Sequence, residues 1–195
     1  AHTTGLARQC RELLALTEPS IASAIVTAPD PDGEGLARLA RAGITVSLGH
    51  TEASYETATA YAQAGVRTVT HLFNAMSPLG HREPGLVGAA LDIGALHAGL
   101  IADGIHVHPA AMAAALRAKS GPGKIFLVTD AMSTIGTAIT SFTLNGREIL
   151  RQNGRLTLSD GTLAGADIDM AACVRLVHHT LGLSLDEALR MASSY

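Results

Sequence analysis

The sequence predicts an α/β fold in which short parallel strands alternate with Ala-rich helices. Of the 195 residues, 47% are hydrophobic, only 3% are aromatic and none is Trp, so Ala, Val, Leu and Ile must build the core. Apolar runs rich in β-branched residues recur between segments of helical pattern. These runs are nearly continuous in hydrophobicity, which is typical of strands that are covered on both faces of a parallel sheet.

The strands and helices follow one another in order. The runs expected to form strands are 22–29, 44–50, 67–73, 97–104 and 124–131. The helical patterns are 35–42, 52–64 and 109–119. Thr51 is suited to the N-cap of the second helix and Pro109 to the first turn of the third. Gly43 and Gly65 follow Ala-rich segments, as expected where a helix ends in a residue with positive φ.

A weak internal repeat supports this order. The segments ARAGITVSLGH and AQAGVRTVTH each run from a helix end through Ala-Gly and a strand to a histidine, His50 or His71. Each segment is interpreted as one unit of a single sheet with its histidine at the carboxyl end of the strand. A (β/α)8 barrel and an open doubly wound sheet both fit this pattern. In either architecture, ligands bind at the carboxyl ends of the strands.

The pattern changes after residue 135. Asn-Gly at 145–146 and 153–154 and Asp-Gly at 160–161 lie between alternating runs, which indicates antiparallel hairpins. We therefore expect a β-hairpin insertion near 141–163. Two helices follow, and Ser184 with Glu187 has the spacing of a capping box at the start of the second.

Composition excludes several classes of protein. The formal net charge is −3 and no basic stripe is present, which argues against a nucleic-acid binder. The apolar runs are shorter than the roughly 20 residues that cross a bilayer, and no strand is followed by GxGxxG. Cys10 and Cys173 are far apart and read as free thiols of a reducing compartment. We therefore expect a cytoplasmic protein with no nucleic-acid or membrane partner.

Three polar residues follow predicted strands and are the strongest candidates for chemistry. His50 and His71 close neighbouring strands, so their imidazoles can converge on one metal ion. Asp130, after the apolar run in LVTDAM, could bind that metal or accept a proton from a metal-bound water. The alternative is two separate histidines at strand ends and an aspartate that caps the next loop.

Two further loops carry polar residues. In HLFNAMSPLGHREPG, backbone N–H groups at Asn74 and Ala75 and the guanidinium of Arg82 suit an anion such as phosphate, although Arg82 could equally be a solvated surface residue. In ADGIHVHP, His106 and His108 follow another strand, and one of the two is expected simply to be exposed.

Six motifs in order resemble those of the N-acetylglucosamine-6-phosphate deacetylase family of the amidohydrolase superfamily. They are SLGHTEA, THLFNAM, HREPGLVGAAL, IADGIHVHP, LVTDAM and GTLAGADIDM. The resemblance implies a distorted (β/α)8 barrel that hydrolyses N-acetylglucosamine 6-phosphate to glucosamine 6-phosphate and acetate. It implies that His50 and His71 bind a divalent metal, zinc before iron or another ion, with one or two ions per subunit. Asp130 matches the catalytic aspartate, which deprotonates water and later protonates the leaving amine.

The resemblance also implies a set of substrate-binding residues and a homodimer. Arg82 matches the arginine that reaches the phosphate site of the neighbouring subunit. The remaining positions matched to the binding of the sugar phosphate are His2, Asn74, Ala75, Asp103, Gly104, His106, Leu163, Ala164 and Gly165. Of these matches, His2 rests on the fewest residues.

Some features of the family pattern are missing. The family's glutamate ligand, in an HxEGP-type motif, has no counterpart here, and Ala166 and Asp167 replace two serines. We therefore interpret 1–195 as one incomplete metal-dependent hydrolase barrel domain that lacks N-terminal strands, a flanking β-sandwich and the C-terminus. A five-strand fragment cannot close a barrel, so the isolated chain is expected to be inactive. The alternative functions are another amidohydrolase acting on an acylated substrate, or a non-catalytic barrel that binds a sugar phosphate.

Overall fold

The computed structural model describes residues 23–26, 30 and 33–195. Contacts divide the described chain into two compact units, Ala1–Gly99 with Ala118–Lys124 and Leu100–Arg117 with Ile125–Tyr195, of which the first is described from residue 23 onward.

A five-stranded sheet has the strand order β1-β2-β3-β4-β5, which follows the order of the chain. Its strands are β1 Ser23–Val26, β2 Thr45–Leu48, β3 Thr68–Val69, β4 His97–Ile101 and β5 Ile125–Val128. The pairs from β1 to β4 are parallel, with Val26 opposite Leu48 and Leu48 opposite Val69. The predicted α/β class with a parallel sheet is therefore confirmed, and each strand lies within its predicted run.

The helices of the described chain fall between and after these strands. They are α1 Glu34–Arg41, α2 Tyr55–Gln63, α3 Gly85–Asp92, α4 Pro109–Ala118, α5 Met170–His179 and α6 Leu185–Ser193. Sequence patterns did not predict α3, because all residues from Gly85 to Leu91 are buried and the helix therefore has little polar face. Among the described helices, none has both the length and the apolar character that a membrane span requires.

The helix boundaries confirm most of the predicted signals and correct one. Gly43 and Gly65 have φ of 81° and 112° just beyond α1 and α2, and Pro109 is the first residue of α4. The predicted N-cap Thr51 is wrong. Ser54 caps α2 instead, because its side chain accepts a hydrogen bond from the backbone N–H of Thr57 at 3.1 Å.

In the first unit, buried leucine and valine side chains pack between the helices and the sheet. Leu36 and Leu39 of α1 are 0% and 1% exposed, and β2 contributes Val46 and Leu48, each 1% exposed. Burial of each such side chain stabilises the fold by about 1.5–3 kcal/mol relative to exposure. This packing fixes the position of the strand end that the candidate residue His50 follows.

In the second unit, the predicted hairpin insertion is present as a four-stranded antiparallel sheet, in the order β6 to β9. Its strands are β6 Ser141–Leu144, β7 Arg147–Gln152, β8 Arg155–Thr157 and β9 Leu163–Ala166. Both Asn-Gly turns have positive φ at both residues, as type I′ hairpin turns require.

The last two helices complete the second unit. α5 and α6 pack against β5 and against each other. Ser184 caps α6 by accepting from the backbone N–H of Glu187 at 3.2 Å, as the capping-box spacing predicted. Cys173 of α5 is a free, fully buried thiol, and burial raises its pKa to about 11. Cys10 lies outside the described residues.

Candidate active site

His50 and His71 lie side by side at the carboxyl ends of β2 and β3. Their Nε2 atoms are 2.9 Å apart, and the ring centroids are 4.7 Å apart at an interplanar angle of 74°. His71 is 5% exposed, whereas His50 is exposed. The two imidazoles therefore present their Nε2 atoms to one another at a partly accessible point.

The residues just before the histidines hold the two strand ends together. Thr70 donates its backbone N–H to the carbonyl of Leu48 at 2.8 Å, and its hydroxyl lies 2.7 Å from that of Ser47. A Cβ on Gly49 would lie only 2.8 Å from the Cβ of Thr70. Glycine before His50 is therefore a steric requirement of this close approach.

The histidine pair fits a transition-metal ion. Two imidazole nitrogens bound to one tetrahedral zinc lie about 3.3 Å apart, so a separation of 2.9 Å needs an adjustment of only a few tenths of an ångström. Imidazole nitrogen is a preferred ligand of zinc, iron and related ions. Within the described part of the chain, no three His, Cys, Asp or Glu residues are grouped closely enough to hold an ion. The described residues therefore offer two imidazole nitrogens at this point and no third ligand beside them.

The loop after β3 has an unusual backbone. His71, Phe73 and Ala75 have φ of 30°, 78° and 48°. The side-chain amide of Asn74 donates to the carbonyls of His71 and Leu72, both at 3.3 Å. The side chain of Asn74 thus helps to hold the loop that carries His71.

Arg82 lies at the exposed tip of a tight turn. The backbone N–H of Gly80 donates to the carbonyl of Glu83 at 3.1 Å, which places His81 and Arg82 between these two residues. A Cβ on Gly80 would lie 2.7 Å from that carbonyl oxygen, so the turn requires glycine. Arg82 is exposed, consistent with a guanidinium available to an anion.

Glu83, which sequence analysis missed, anchors this turn. Its Oε1 accepts the backbone N–H groups of Tyr55, at 2.8 Å, and Gly85, at 2.9 Å, which are the first residues of α2 and α3. These two backbone hydrogen bonds lower the pKa of Glu83. One carboxylate therefore caps two helices. The sequence signal for this role is an acidic residue two positions before the start of α3.

Asp103 and His106 form a tight pair in the loop after β4. Oδ2 of Asp103 lies 2.5 Å from Nδ1 of His106, and the two side chains are 5% and 8% exposed. His108 is exposed, as expected for one of the two histidines in this loop, and its Nδ1 accepts the backbone N–H of Ala110 at 3.1 Å at the start of α4.

Asp130 lies next to β9, which contains the predicted substrate-binding residues 163–165. The carbonyl of Asp130 accepts the backbone N–H of Ala166 at 2.8 Å. Gly165 has φ of 87°, and a Cβ there would lie 2.6 Å from Cγ of Met132 and 3.1 Å from the carbonyl oxygen of Asp130. The Asp130 side chain is exposed at this junction.

Asp167, which replaces one of the serines expected from the family, is used structurally. Its Oδ2 accepts the Nε–H of Arg151 at 2.8 Å, with the Asp167 side chain 8% exposed. The same guanidinium donates to the carbonyls of Thr134 and Thr137 at 3.2 and 2.6 Å. The ion pair thus braces the loop that follows Asp130.

A common feature links the candidate residues of the two units. Outside glycine, positive φ occurs in the described chain at His50, His71, Phe73, Ala75, Asp130, Asn145 and Asn153. The two asparagines belong to hairpin turns, and four of the other five are predicted site residues. Such conformations cost about 1–3 kcal/mol each and cluster at functional sites. No sequence pattern revealed this shared backbone conformation of the candidate residues.

His2, which was predicted to bind substrate, lies outside the described residues.

A cleft of about 560 Å³ in the first unit is lined by Arg41, Thr45 and Arg67, at the amino ends of β2 and β3. Ligands of parallel α/β sheets bind at the carboxyl ends of the strands, so this cleft is not the candidate site.

Comparison with known proteins identifies relatives along nearly the whole chain. No protein-family model matches. The chain is 40% identical over 195 residues to an N-acetylgalactosamine-6-phosphate deacetylase of Shewanella sp. strain ANA-3, covering 99% of this chain and 49% of that protein. It is 35% identical over 180 residues to an N-acetylglucosamine-6-phosphate deacetylase of Lysinibacillus sphaericus, covering 92% of this chain and 46% of that protein.

Solved structures agree with these relatives. N-acetylglucosamine-6-phosphate deacetylase from Pasteurella multocida matches with a TM-score of 0.87 and 34% identity, over 94% of this chain and 48% of that one. A mutant of the Mycobacterium smegmatis enzyme, in complex with N-acetyl-D-glucosamine-6-phosphate, matches with a TM-score of 0.85 and 31% identity, over 94% and 49%. By sequence and by structure, the chain is therefore homologous to the N-acetylglucosamine-6-phosphate deacetylase family, and it spans about half the length of the relatives that it matches.

Proposed function

We propose that the complete encoded protein hydrolyses the acetamide of an N-acetylhexosamine 6-phosphate, giving acetate and the free amino-sugar phosphate. N-acetylglucosamine 6-phosphate is the first candidate substrate. The observation that carries the proposal is the positive φ of His50, His71 and Asp130, which follow β2, β3 and β5. Strain of this kind at three strand ends supports a catalytic role for these residues.

The roles proposed for these residues follow from their chemistry. His50 and His71 would hold a divalent metal, zinc or iron, which when bound polarises a carbonyl and makes water more acidic. Asp130 takes a proton from a water molecule as the oxygen of that water attacks the amide carbon. It then gives a proton to the nitrogen as the C–N bond breaks, so that acetate and the amine leave.

Substrate binding is proposed for the residues that matched the family. The Asn74 and Ala75 loop and Arg82 would bind phosphate, whose bidentate recognition suits a guanidinium. On the sugar side we place His2, His106 with the turn at Asp103 and Gly104 that holds its ring, and the backbone of 163–165. We further propose a homodimer in which Arg82 serves the neighbouring subunit's phosphate site, and a sheet that forms part of a (β/α)8 barrel.

The galactosamine epimer is a second candidate substrate. The observation that favours it is the 40% identity to the Shewanella protein that is named an N-acetylgalactosamine-6-phosphate deacetylase. The two sugars differ only in the orientation of the C4 hydroxyl, so both would place the same acetamide and the same phosphate against these residues. Discrimination between them would rest on side chains facing that hydroxyl.

The proposal is tested by measuring acetate release from both epimers by the complete encoded protein, before and after removal and restoration of zinc. We expect release that is lost on chelation and recovers with the metal. Binding of the sugar phosphate without acetate release would indicate a non-catalytic binding protein. Release of acyl groups from other substrates only would indicate a different amidohydrolase.

A further inference from the structure

Both oxygens of the Asp103 carboxylate accept hydrogen bonds inside its own loop. Its Oδ1 accepts the backbone N–H groups of Ile105 and His106, both at 2.8 Å, and its Oδ2 contacts Nδ1 of His106 at 2.5 Å. Gly104 has φ of 73°, which turns the chain back so that both N–H groups face the carboxylate. With three donors already bound, Asp103 is poorly placed to bind a substrate directly.

The loop that holds this pair is firmly packed at both ends. Ala102 before it is 0% exposed and Val107 after it is 3% exposed. The Cys173 thiol of α5 is buried beside the same segment, near the backbone of Ala102. The His106 ring is thus held between a fixed backbone and a fixed carboxylate.

The Asp103 carboxylate accepts the hydrogen bond that it forms with the His106 ring. Burial alone would raise the pKa of Asp103, but the hydrogen bonds from the His106 ring and from the backbone N–H groups of Ile105 and His106 outweigh it, and the pKa lies below its ordinary value. An ionised carboxylate can only accept hydrogen bonds. It therefore requires a proton on Nδ1 of His106.

We propose that Asp103 is a positioning residue that fixes His106 with its proton on Nδ1, so that Nε2 is the ring nitrogen offered to the substrate. This inference rests on the proposed function, in which His106 contacts the sugar phosphate. A carboxylate in this position selects the tautomer of a histidine and its ring orientation. Asp103 thereby acts through His106 and not by its own contact with the ligand.

The decisive variant is Asp103→Asn, because it keeps the shape and reverses one hydrogen bond. The Asn oxygen can still accept the two backbone N–H groups, while its NH₂ faces Nδ1 and donates to it. The proton of neutral His106 then moves to Nε2. Asp160→Asn is the matched control, since Asp160 also accepts a backbone N–H, from Thr162 at 2.9 Å, in an exposed turn that holds no histidine.

Two measurements on the complete encoded protein test the proposal. Nitrogen-15 NMR of the imidazole rings, with His106 assigned from a His106→Gln variant, reports which nitrogen carries the proton at pH 8. Steady-state acetate release reports kcat and KM. We expect Nδ1–H in the wild type, Nε2–H in Asp103→Asn, a KM raised about tenfold and a nearly unchanged kcat, because a contact remote from the reacting amide is lost equally from the ground and transition states. Asp160→Asn should match the wild type.

A neutral His106 protonated at Nε2 in the wild type would overturn the proposal. This measurement needs no variant, so it tests the proposal even if Asp103→Asn fails to fold. A folded Asp103→Asn protein with an unchanged tautomer or an unchanged KM would also overturn it. If the proton moves as expected but the wild type releases acetate from neither epimer, the proposed deacetylase function fails while the positioning of His106 by Asp103 stands.

Discussion

Single residues at the ends of β2 and β3 carry the chemistry proposed for this protein. His50 and His71 lie beside a close approach of Gly49 to the Thr70 side chain, and both histidines adopt a positive φ. Their Nε2 atoms, 2.9 Å apart, can either share a proton or face one cation. These two possibilities differ in metal binding, which can be measured without reference to catalysis.

Replacing His71 with Ala should weaken zinc binding at least about a hundredfold, because loss of a direct ligand exceeds the effect of losing an outer-shell partner. Competition with a chromophoric chelator measures the affinity on the complete encoded protein. His179→Ala is the control, since His179 is an exposed histidine at the end of α5. Equal zinc affinity in the wild type and in His71→Ala would rule out a metal role for the pair.

Gly165 should be intolerant of a side chain for a local reason. Its Cβ would lie 2.6 Å from Cγ of Met132 and 3.1 Å from the carbonyl oxygen of Asp130. We expect Gly165→Ala to lower kcat for acetate release and to destabilise the protein by about 1–3 kcal/mol.

Gly161→Ala is a close control for this prediction. Gly161 has φ of 85°, against 87° for Gly165, but a Cβ there meets nothing within 4 Å. Gly161→Ala should lower the free energy of unfolding, because a side chain is strained at positive φ, but it should leave kcat unchanged. Denaturant unfolding and steady-state kinetics on both variants separate the two effects, and identical behaviour of the two would contradict a specific contact at Asp130.

Sequence reasoning found these residues by type and position but not by conformation. His50, His71 and Asp130 stood out as polar side chains directly after apolar runs, which is visible in the one-dimensional pattern. The pairing of Asp103 with His106 was not visible, because it depends on the left-handed turn at Gly104. The strain at Phe73 and Ala75 likewise arises from the path of the loop and has no signature in composition.

Among the elements, the turn that carries Arg82 is tied to two helices by one exposed carboxylate. Glu83 accepts the first backbone N–H of α2 and of α3, which places a negative charge at two helix N-termini. Backbone hydrogen bonds from Tyr55 and Gly85 lower its pKa from the ordinary value of 4.5. The ionised form is thus favoured in the folded protein.

This shift predicts a pH dependence of stability. Because the folded-state pKa is lowered, the stabilisation is present above the ordinary pKa of 4.5 and is lost as the pH falls through the folded-state value. Glu83→Gln should therefore flatten the acid side of the curve of thermal midpoint against pH. Glu56→Gln, in the first turn of α2, is the control and should leave the curve unchanged. Superimposable curves for Glu83→Gln and the wild type would contradict the capping role.

The elements were predictable where apolar runs, helical periods or turn residues mark them. The five strands were visible as apolar runs rich in β-branched residues, and the Asn-Gly hairpins and α1, α2 and α4 were visible in turn chemistry and helical period. α3 was not, because a helix buried from Gly85 to Leu91 resembles any apolar run. Thr51 was mistaken for an N-cap because Ser54, three residues on, offers the same chemistry and the helix starts one turn later.

At the scale of the whole molecule, the chain spans about half the length of the deacetylases that it matches, so the deacetylase activity is proposed for the complete encoded protein. Residues that are proposed to act in substrate binding or catalysis occur in each of the two compact units. The first holds the histidine pair and the Arg82 turn, and the second holds Asp130, the Asp103–His106 pair and residues 163–165 of β9. The central proposal at this scale is that the complete encoded protein is a metal-dependent deacetylase with Asp130 as its acid–base group.

The most direct test of that claim is acetate release from N-acetylglucosamine 6-phosphate by the zinc-loaded complete protein, compared with Asp130→Asn and Asp160→Asn. Loss of a general acid–base group lowers kcat about 10²–10⁴-fold. We predict a loss of that size for Asp130→Asn, with zinc affinity retained, and wild-type turnover for Asp160→Asn. Turnover by Asp130→Asn equal to that of the wild type would contradict the proposal that Asp130 is the acid–base group of a metal-dependent deacetylase.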